Sequence, residues 1–142
     1  MPGVPAPQGS KTRGAHGGLY ESSKAVGPWR ERVGLAAAQT LGNVADWYDE
    51  AAEPTREAVS VNVRFIFTRP KSHLRKDGTT RPAAPRFPAT RPDVDKLVRA
   101  VLDALTGVAF VDDSQVVAVN ALKEYGNVSG ADIRWDVLHS RA

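Results

Sequence analysis

Asp93-Val94-Asp95-Lys96-Leu97-Val98-Arg99-Ala100-Val101-Leu102-Asp103-Ala104-Leu105 reads as a helix before the rest of the chain is considered. Val94, Leu97, Val98, Val101, Leu102 and Leu105 fall at i, i+3, i+4, i+7, i+8 and i+11, one apolar stripe at helical period. Asp93 stands where a cap belongs, and Gly107 follows the end. The stripe predicts that Val94 points into a core while Asp93 and Asp95 stay outside it. Such a helix needs a surface to lie on, and the flanking segments supply one. Before it, Val59, Val61, Val63, Phe65 and Phe67 alternate with Ser60, Asn62, Arg64 and Ile66, the period of a half-buried strand. After it, Gln115 to Lys123 is β-branched and apolar, which predicts a well-buried strand. Ile133, Trp135 and Val137 then alternate with Asp132, Arg134 and Asp136, and Gly126, Asn127 and Gly130 predict a hairpin between these last two strands.

Further upstream, Trp29, Val33, Ala36, Ala37, Leu41, Val44 and Tyr48 recur at helical spacing behind Pro28, a residue suited to a first turn. Gly34 and Gly42 each weaken that helix by up to ~1 kcal/mol relative to alanine, so it depends on packing. Residues 1–28 hold six of the 12 glycines and four of the 10 prolines, a composition that reads as a flexible loop or loosely attached arm. Two helices and three strands in 142 residues predict one domain. With no cysteine, disulfides, thiolate zinc sites and a cysteine nucleophile are excluded. His16, His73 and His139 are too scattered for a histidine metal site, and His73 reads as an exposed loop residue. No apolar run approaches the ~20 residues of a membrane helix, and the N-terminal stretch lacks the order of a secretion signal. The expectation is a cytoplasmic protein without a membrane partner.

The net charge of +3 is unevenly placed. Arg69, Lys71, Arg75, Lys76, Arg81, Arg86 and Arg91 face a single acid, Asp77, in the segment 69–91, which therefore carries +6; the 12 basic and 15 acidic residues elsewhere leave −3. Residues 69–92 also hold five prolines, too many for a helix or an inner strand. A connection of that length in a small domain is usually functional or disordered. A basic strip on a slightly acidic body suits a polyanion such as nucleic acid, and a solvated loop is the plainer alternative.

The acids cluster in two places, Asp93 with Asp95 ahead of the helix and Asp112 with Asp113 after it. The helix runs roughly 20 Å. Gly107–Val111 can extend about 17 Å, so Asp113 can return to Asp93 and Asp95, although the spacing does not demand it. Three converging carboxylates would suit a hard divalent cation, which activates water and offsets charge on an attacked phosphate. The other reading is structural. Asp93 caps, Asp95 complements the helix dipole, Asp95, Arg99 and Asp103 form a surface ladder, and Asp112-Asp113 ends a turn. An aspartyl nucleophile of DxD phosphatase type would need the pair at the end of a buried strand, whereas here it follows Arg91-Pro92 in a loop.

An ordered set of short motifs runs along the chain: Gly3-Val4-Pro5-Ala6-Pro7-Gln8-Gly9-Ser10-Lys11, Trp29-Arg30, Arg91-Pro92-Asp93-Val94-Asp95, Asp103-Ala104-Leu105-Thr106-Gly107-Val108, Asp112-Asp113-Ser114-Gln115-Val116 and Lys123-Glu124-Tyr125. In this order and spacing the sequence resembles the RusA family of Holliday-junction resolvases, endodeoxyribonucleases of bacteria and phages. The resemblance implies an α+β fold, a single domain with a small mixed β-sheet packed against two main helices. It implies Mg2+, with Mn2+ as a substitute, bound by Asp93, Asp95 and Asp113, with Asp112 as the other candidate for the third position. It also implies a homodimer that nicks symmetrically related strands of a four-way junction or other branched DNA, and a phage or prophage gene in a bacterial host. Three departures stand out. Lys96 replaces a common asparagine, Arg99 replaces a usual lysine, and the short strand that precedes the Gly-x-Pro motif has no counterpart. Arg99 keeps the charge but cannot readily release a proton.

The resulting expectation is a magnesium-dependent endodeoxyribonuclease in which Asp93, Asp95 and Asp113 hold metal. Arg99 and Lys96 stabilise phosphate charge, the 69–92 loop grips the backbone through Lys71, Arg75, Lys76, Arg81 and Arg86, and Phe87 stacks on an opened base. The alternatives are a branched-DNA-binding protein with weak or lost cleavage, and a structural subunit whose aspartates are only caps.

Overall fold

The computed structural model describes residues 1–7, 11–13, 19–21, 25–48 and 53–139, and for 11–13, 19–21 and 42–48 the backbone alone. The elements run β1 (Lys11–Arg13), β2 (Leu19–Glu21), α1 (Val26–Tyr48), β3 (Ala58–Phe67), α2 (Val94–Leu105), β4 (Val116–Tyr125) and β5 (Gly130–Leu138), with short 3-10 turns at Lys71–His73 and Asp113–Gln115. This is the expected α+β arrangement, two helices against a small mixed sheet.

β3 lies in the middle of the main sheet, in the order β4-β3-β5, parallel to β4 and antiparallel to β5. Its alternation does what the sequence predicts. Val59, Val61, Val63 and Phe65 are buried on one face, and Asn62 and Arg64 are exposed on the other. Onto the buried face α2 lays Leu97, Ala100, Val101 and Leu105, each fully buried, while α1 contributes Trp29, Val33 and Ala37 to the same cluster. Phe110, also fully buried, closes the core below the end of α2. The opposite face is polar and tied by ion pairs. Arg64 Nε donates to Glu124 Oε1 at 2.9 Å, and its Nη1 lies 3.5 Å from Asp132 Oδ2.

Three expectations change. First, β4 and β5 do not form a hairpin. They flank β3, and residues 126–129 cross its end, where the Gly126 N–H donates to Phe67 O at 2.9 Å. A Cβ on Gly126 would stand 2.6 Å from Ile66 Cγ2, so the crossing needs a residue without a side chain. Second, β4 is not well buried. It pairs only with β3 among the described strands, and Val117, Val119 and Leu122 are 64%, 45% and 41% exposed. Third, Val94 is not in the core but 39% exposed, so the buried stripe of α2 begins at Leu97.

α1 begins at Val26, with Pro28 in its first turn as expected; Val44 and Tyr48 belong to the part described by backbone alone. Ahead of it, part of the N-terminal segment is attached. Met1 and Gly3 bond across to Ala131 and Ser129 at the start of β5, and Ala6 and Val26 are buried. Gln8, Gly9 and Ser10 of the opening motif lie outside the described residues. No described helix is long and apolar enough to cross a membrane.

Phe65 is fully enclosed between sheet and helices, whereas Val128 is 67% exposed on the crossing loop. Phe65→Ala is expected to lower unfolding free energy by about 3–5 kcal/mol. Val128→Ala should stay within about 0.5 kcal/mol of the parent in the same denaturant titration.

Candidate functional site

Asp93 and Asp95 open α2, and a lysine decides where that opening lies. Lys123 sits on the helix-facing side of β4, in register with Phe65, a position that would ordinarily call for an apolar side chain. Its Nζ donates to Thr90 O at 2.6 Å and Pro92 O at 2.8 Å. The stem crosses apolar surface while the ammonium holds the loop carbonyls just ahead of Asp93. Asp93 occupies the cap position with extended backbone (φ −71°, ψ 136°), yet its side chain makes no capping hydrogen bond. Its carboxylate instead has the Lys96 ammonium 3.9 Å away. Asp103 pairs with Arg30 at 3.5 Å, and among the described ion pairs Asp95 and Arg99 do not meet, so the surface ladder does not form. Asp93, Asp95 and Arg99 are all exposed.

The second acidic pair is divided in role. Ser114 Oγ donates to Asp112 Oδ2 at 2.5 Å, and the Asp112 N–H donates to Gln115 Oε1 at 2.8 Å. Gln115 Nε2 in turn donates to Thr55 O and Glu57 O, both at 2.8 Å, clamping the turn to the chain that enters β3. Asp112 is therefore a turn residue. Asp113, exposed in the 3-10 turn, enters none of these bonds, which favours it over Asp112 as a free carboxylate.

The two places do not meet within one chain. After α2 the chain folds back at once, with Gly107 N bonded to Phe110 O at 2.7 Å and Val111 N to Thr55 O at 3.2 Å. Asp113 thus stays at the C-terminal end of α2 and the N-terminal end of β4. Asp93 and Asp95 lie at the other end of both, beside Lys123. Lys123 lies seven positions beyond Val116 along β4, about 23 Å at strand rise. Consistently, among the described residues no three Asp, Glu or His side chains gather closely enough to hold a metal ion. The donors themselves are all carboxylate oxygens and suit a hard divalent cation; what one chain lacks is their convergence.

The basic segment is folded, not loose. Leu74 bridges Thr80, Arg75 N–H donates to Thr79 O at 2.7 Å and Arg81 N–H to His73 O at 2.8 Å, making a small hairpin. At its tip Gly78 has φ +86°, a conformation that favours glycine. Asp77 accepts from the Thr79 hydroxyl at 2.6 Å and its N–H at 3.0 Å, and these bonds hold its carboxyl below the usual range. Arg75 and Lys76 are displayed at that tip, with Lys71 exposed nearby. Arg81 spends one N–H on Leu74 O at 3.0 Å, and Arg86 lies 5.4 Å from the ring of Phe87, which is 59% exposed. Arg69 is a strut. It lies 4.4 Å from the Tyr125 ring centroid and donates to Pro85 O at 2.7 Å. His73 is half-buried against Tyr125, not an exposed loop residue.

Sequence reasoning gave Lys123 and Gln115 no role. The available signal was a lysine at core-facing parity in an apolar strand, a position that requires a polar partner.

Residues 2–135 match the sequence model of the family described as Endodeoxyribonuclease RusA. No curated protein matches the chain. The chain belongs to the RusA family.

Two substitutions test the positioning. Lys123→Met removes two charge-assisted hydrogen bonds and should cost about 1.5–3 kcal/mol, with amide exchange rising in residues 90–97. Gln115→Leu leaves the Thr55 and Glu57 carbonyls and the Asp112 N–H without a partner. A loss of about 1–3 kcal/mol in denaturant unfolding is expected.

Proposed function

We propose that this RusA-family chain is a divalent-cation-dependent endodeoxyribonuclease acting on four-way and other branched DNA as a homodimer. The observation that carries the proposal is the pair Asp93 and Asp95 at the mouth of α2, neither spent on a cap, beside a folded segment of net charge +6. In a protein whose aspartates served only as caps, the Asp93 carboxylate would hold the first-turn N–H groups. Here it does not.

Asp93 and Asp95 would hold Mg2+, or Mn2+ in its place, as oxygen donors. The third carboxylate, Asp113, would come from a second copy, because within one chain it lies at the far end of α2. When bound, the cation supplies Lewis acidity toward the scissile phosphate and acidifies water. The chain's own residues do the rest. Asp95 and Arg99 share a face one turn apart, so the guanidinium would hold a phosphate beside the acidic pair. Lys96 keeps the Asp93 carboxylate oriented and adds positive charge. Lys71, Arg75, Lys76, Arg81 and Arg86 contact backbone phosphates and fix the register of the duplex. Phe87 offers a flat apolar face to an unstacked base. Two copies present two such sites, which suits paired nicks in strands related by a two-fold axis.

The test uses a labelled synthetic four-way junction with and without Mg2+. Wild type should give paired nicks only with the cation. Asp95→Asn should lose more than about 100-fold in rate, since even outer partners of metal sites cost about 10–100-fold. Asp95→Asn and Asp113→Asn proteins, each inactive alone, should recover nicking when mixed, because half of the dimers then carry one intact site. No recovery, with both variants still binding, would show that the third carboxylate is not supplied across subunits. Tight binding without any nicking in wild type would leave only a branched-DNA-binding protein. A fall of about 0.9 in salt slope for each of Arg75→Ala and Lys76→Ala would identify these residues as phosphate contacts.

A further inference from the structure

Between the basic hairpin and the end of β4 lies a cavity of about 510 Å³, bordered on its third side by the stretch that carries Phe87. Clefts that take a small molecule span about 300–1,000 Å³. The frame of this one is already tied together. Arg69 reaches from the Tyr125 ring to Pro85 O, and Glu124 accepts from Arg64. The Gly126 N–H donates to Phe67 O, and Arg81 Nε donates to Leu74 O. Other groups on the wall have no such task. Among the described residues the side chains of Thr68, Thr80, Arg86 and Asn127 enter no hydrogen bond or ion pair, and Phe87 stands 59% exposed at the rim. A cavity with a fixed frame and unspent polar groups takes a ligand with little further ordering.

Chemistry and position together indicate the ligand. Two aromatic rings, Tyr125 and Phe87, and two guanidinium groups, Arg69 and Arg86, border one space, and nucleobases stack on both kinds of surface. The Asn127 amide and the Thr80 hydroxyl each offer a donor and an acceptor, which suits the edge of a base. Tyr125 follows Lys123 by two positions on β4, about 7 Å along the same face. Lys123 in turn holds the carbonyls just ahead of Asp93. Thr68 and Tyr125 also border a smaller cavity of about 180 Å³ that reaches Pro92 and Lys123, so the larger one shares a wall with the approach to the acids. A DNA strand advances about 3.4 Å per stacked nucleotide, which makes that separation about two nucleotides. We infer that this cavity is a pocket for one unstacked base of the strand whose phosphate meets Asp93 and Asp95, about two nucleotides from that phosphate. The inference deepens the proposed function and rests on its reading of the chain as a nuclease for branched DNA. Phe87 stacks on the base at the rim, Asn127 meets its edge, and Arg86 offsets the charge of the flanking phosphate. Extrusion costs least for a base whose pairing or stacking is already disturbed, as beside a branch point. The pocket therefore favours branched over continuous DNA.

The test measures binding without divalent cation, by fluorescence anisotropy, on a synthetic four-way junction in which a single abasic nucleotide is moved along one strand near the branch point. Each abasic position removes a base and keeps its phosphate. Wild-type affinity should fall about 5- to 150-fold at one position, the range set by the loss of one stacked base, and little at its neighbours. In Phe87→Ala and Asn127→Ala that fall should shrink or vanish, with the salt slope unchanged because no phosphate contact is lost. Both side chains are exposed, so neither substitution empties the core. The same scan on a continuous duplex should be flat. A flat scan on a junction that the protein binds tightly overturns the pocket and leaves the nuclease reading in place. A fall that persists undiminished in Phe87→Ala and Asn127→Ala also overturns it, since the base is then held elsewhere. Phe87-dependent binding of a free deoxynucleoside monophosphate, together with a flat scan, would assign the cavity to a free nucleotide and overturn it as well. Nicking with Mg2+ is scored separately. A protein that shows the position-dependent fall and never nicks keeps the pocket and loses the nuclease reading.

Discussion

The connection β3–α2–β4 constrains everything that follows from the acids. Parallel strands require the chain to leave at one end of the sheet and re-enter at the other. α2 carries it back along that distance, with its buried stripe pressed on Val59, Val61, Val63 and Phe65. Whatever precedes α2 must then lie at the C-terminal ends of the strands, and whatever follows it at their N-terminal ends. Asp93 and Asp95 precede it; Asp112 and Asp113 follow it. The separation is a property of the topology, and no adjustment of the Gly107–Val111 turn alters it.

That consequence explains which parts of the chain could be read from sequence. α2 begins and ends at the residues the stripe indicated, Val94 and Leu105, and β3 differs by one residue at its start. Both are set by local periodicity, which a single sequence displays. Strand order is not local. The turn residues between Tyr125 and Gly130 fit a hairpin and a short crossing equally well, and only the place of β3 between the two strands decides. The same ambiguity hid the exposure of β4. A run of valines and alanines reads as buried on both faces, yet β4 lies at the edge of the described sheet and Val117, Val119 and Leu122 stand exposed. Val94 was misplaced for a related reason: the apolar stripe extends one turn past the surface that buries it.

At the site, residue type was legible and residue role was less so. The pattern of aspartates drew attention to four side chains without separating the one engaged in a turn, Asp112, from the one left free, Asp113. The separation depends on Ser114 and on the reach of Gln115 to Thr55 and Glu57, 60 and 58 residues away in sequence. Lys123 was harder still, because its partners are backbone carbonyls of Thr90 and Pro92, which no side-chain motif records. In the basic segment, the charge was visible but not its division of labour. Arg69 is occupied by Tyr125 and Pro85, and Arg81 partly by Leu74, whereas Arg75 and Lys76 are held outward on a tip locked by Asp77 and Thr79. A positive segment with its own hydrogen bonds loses less conformational freedom when it meets a polyanion than a disordered one would.

Among its described residues this 142-residue chain has one three-stranded sheet, a small two-stranded pair and one long crossover. Both candidate halves of a carboxylate site lie on it, at opposite ends of a single helix. Completing such a site inside the chain would need an additional connection to bring Asp113 back along α2, at the cost of ordering more residues. A two-fold partner needs no added residue. As proposed, it would double the number of sites and make each carboxylate set dependent on assembly. For an enzyme that cuts two strands of one junction this dependence is itself useful, because a lone chain holding only Asp93 and Asp95 lacks the third oxygen donor group. Under this architecture, the feature that makes the isolated domain look incomplete is what would restrain it from nicking DNA before its second copy is in place.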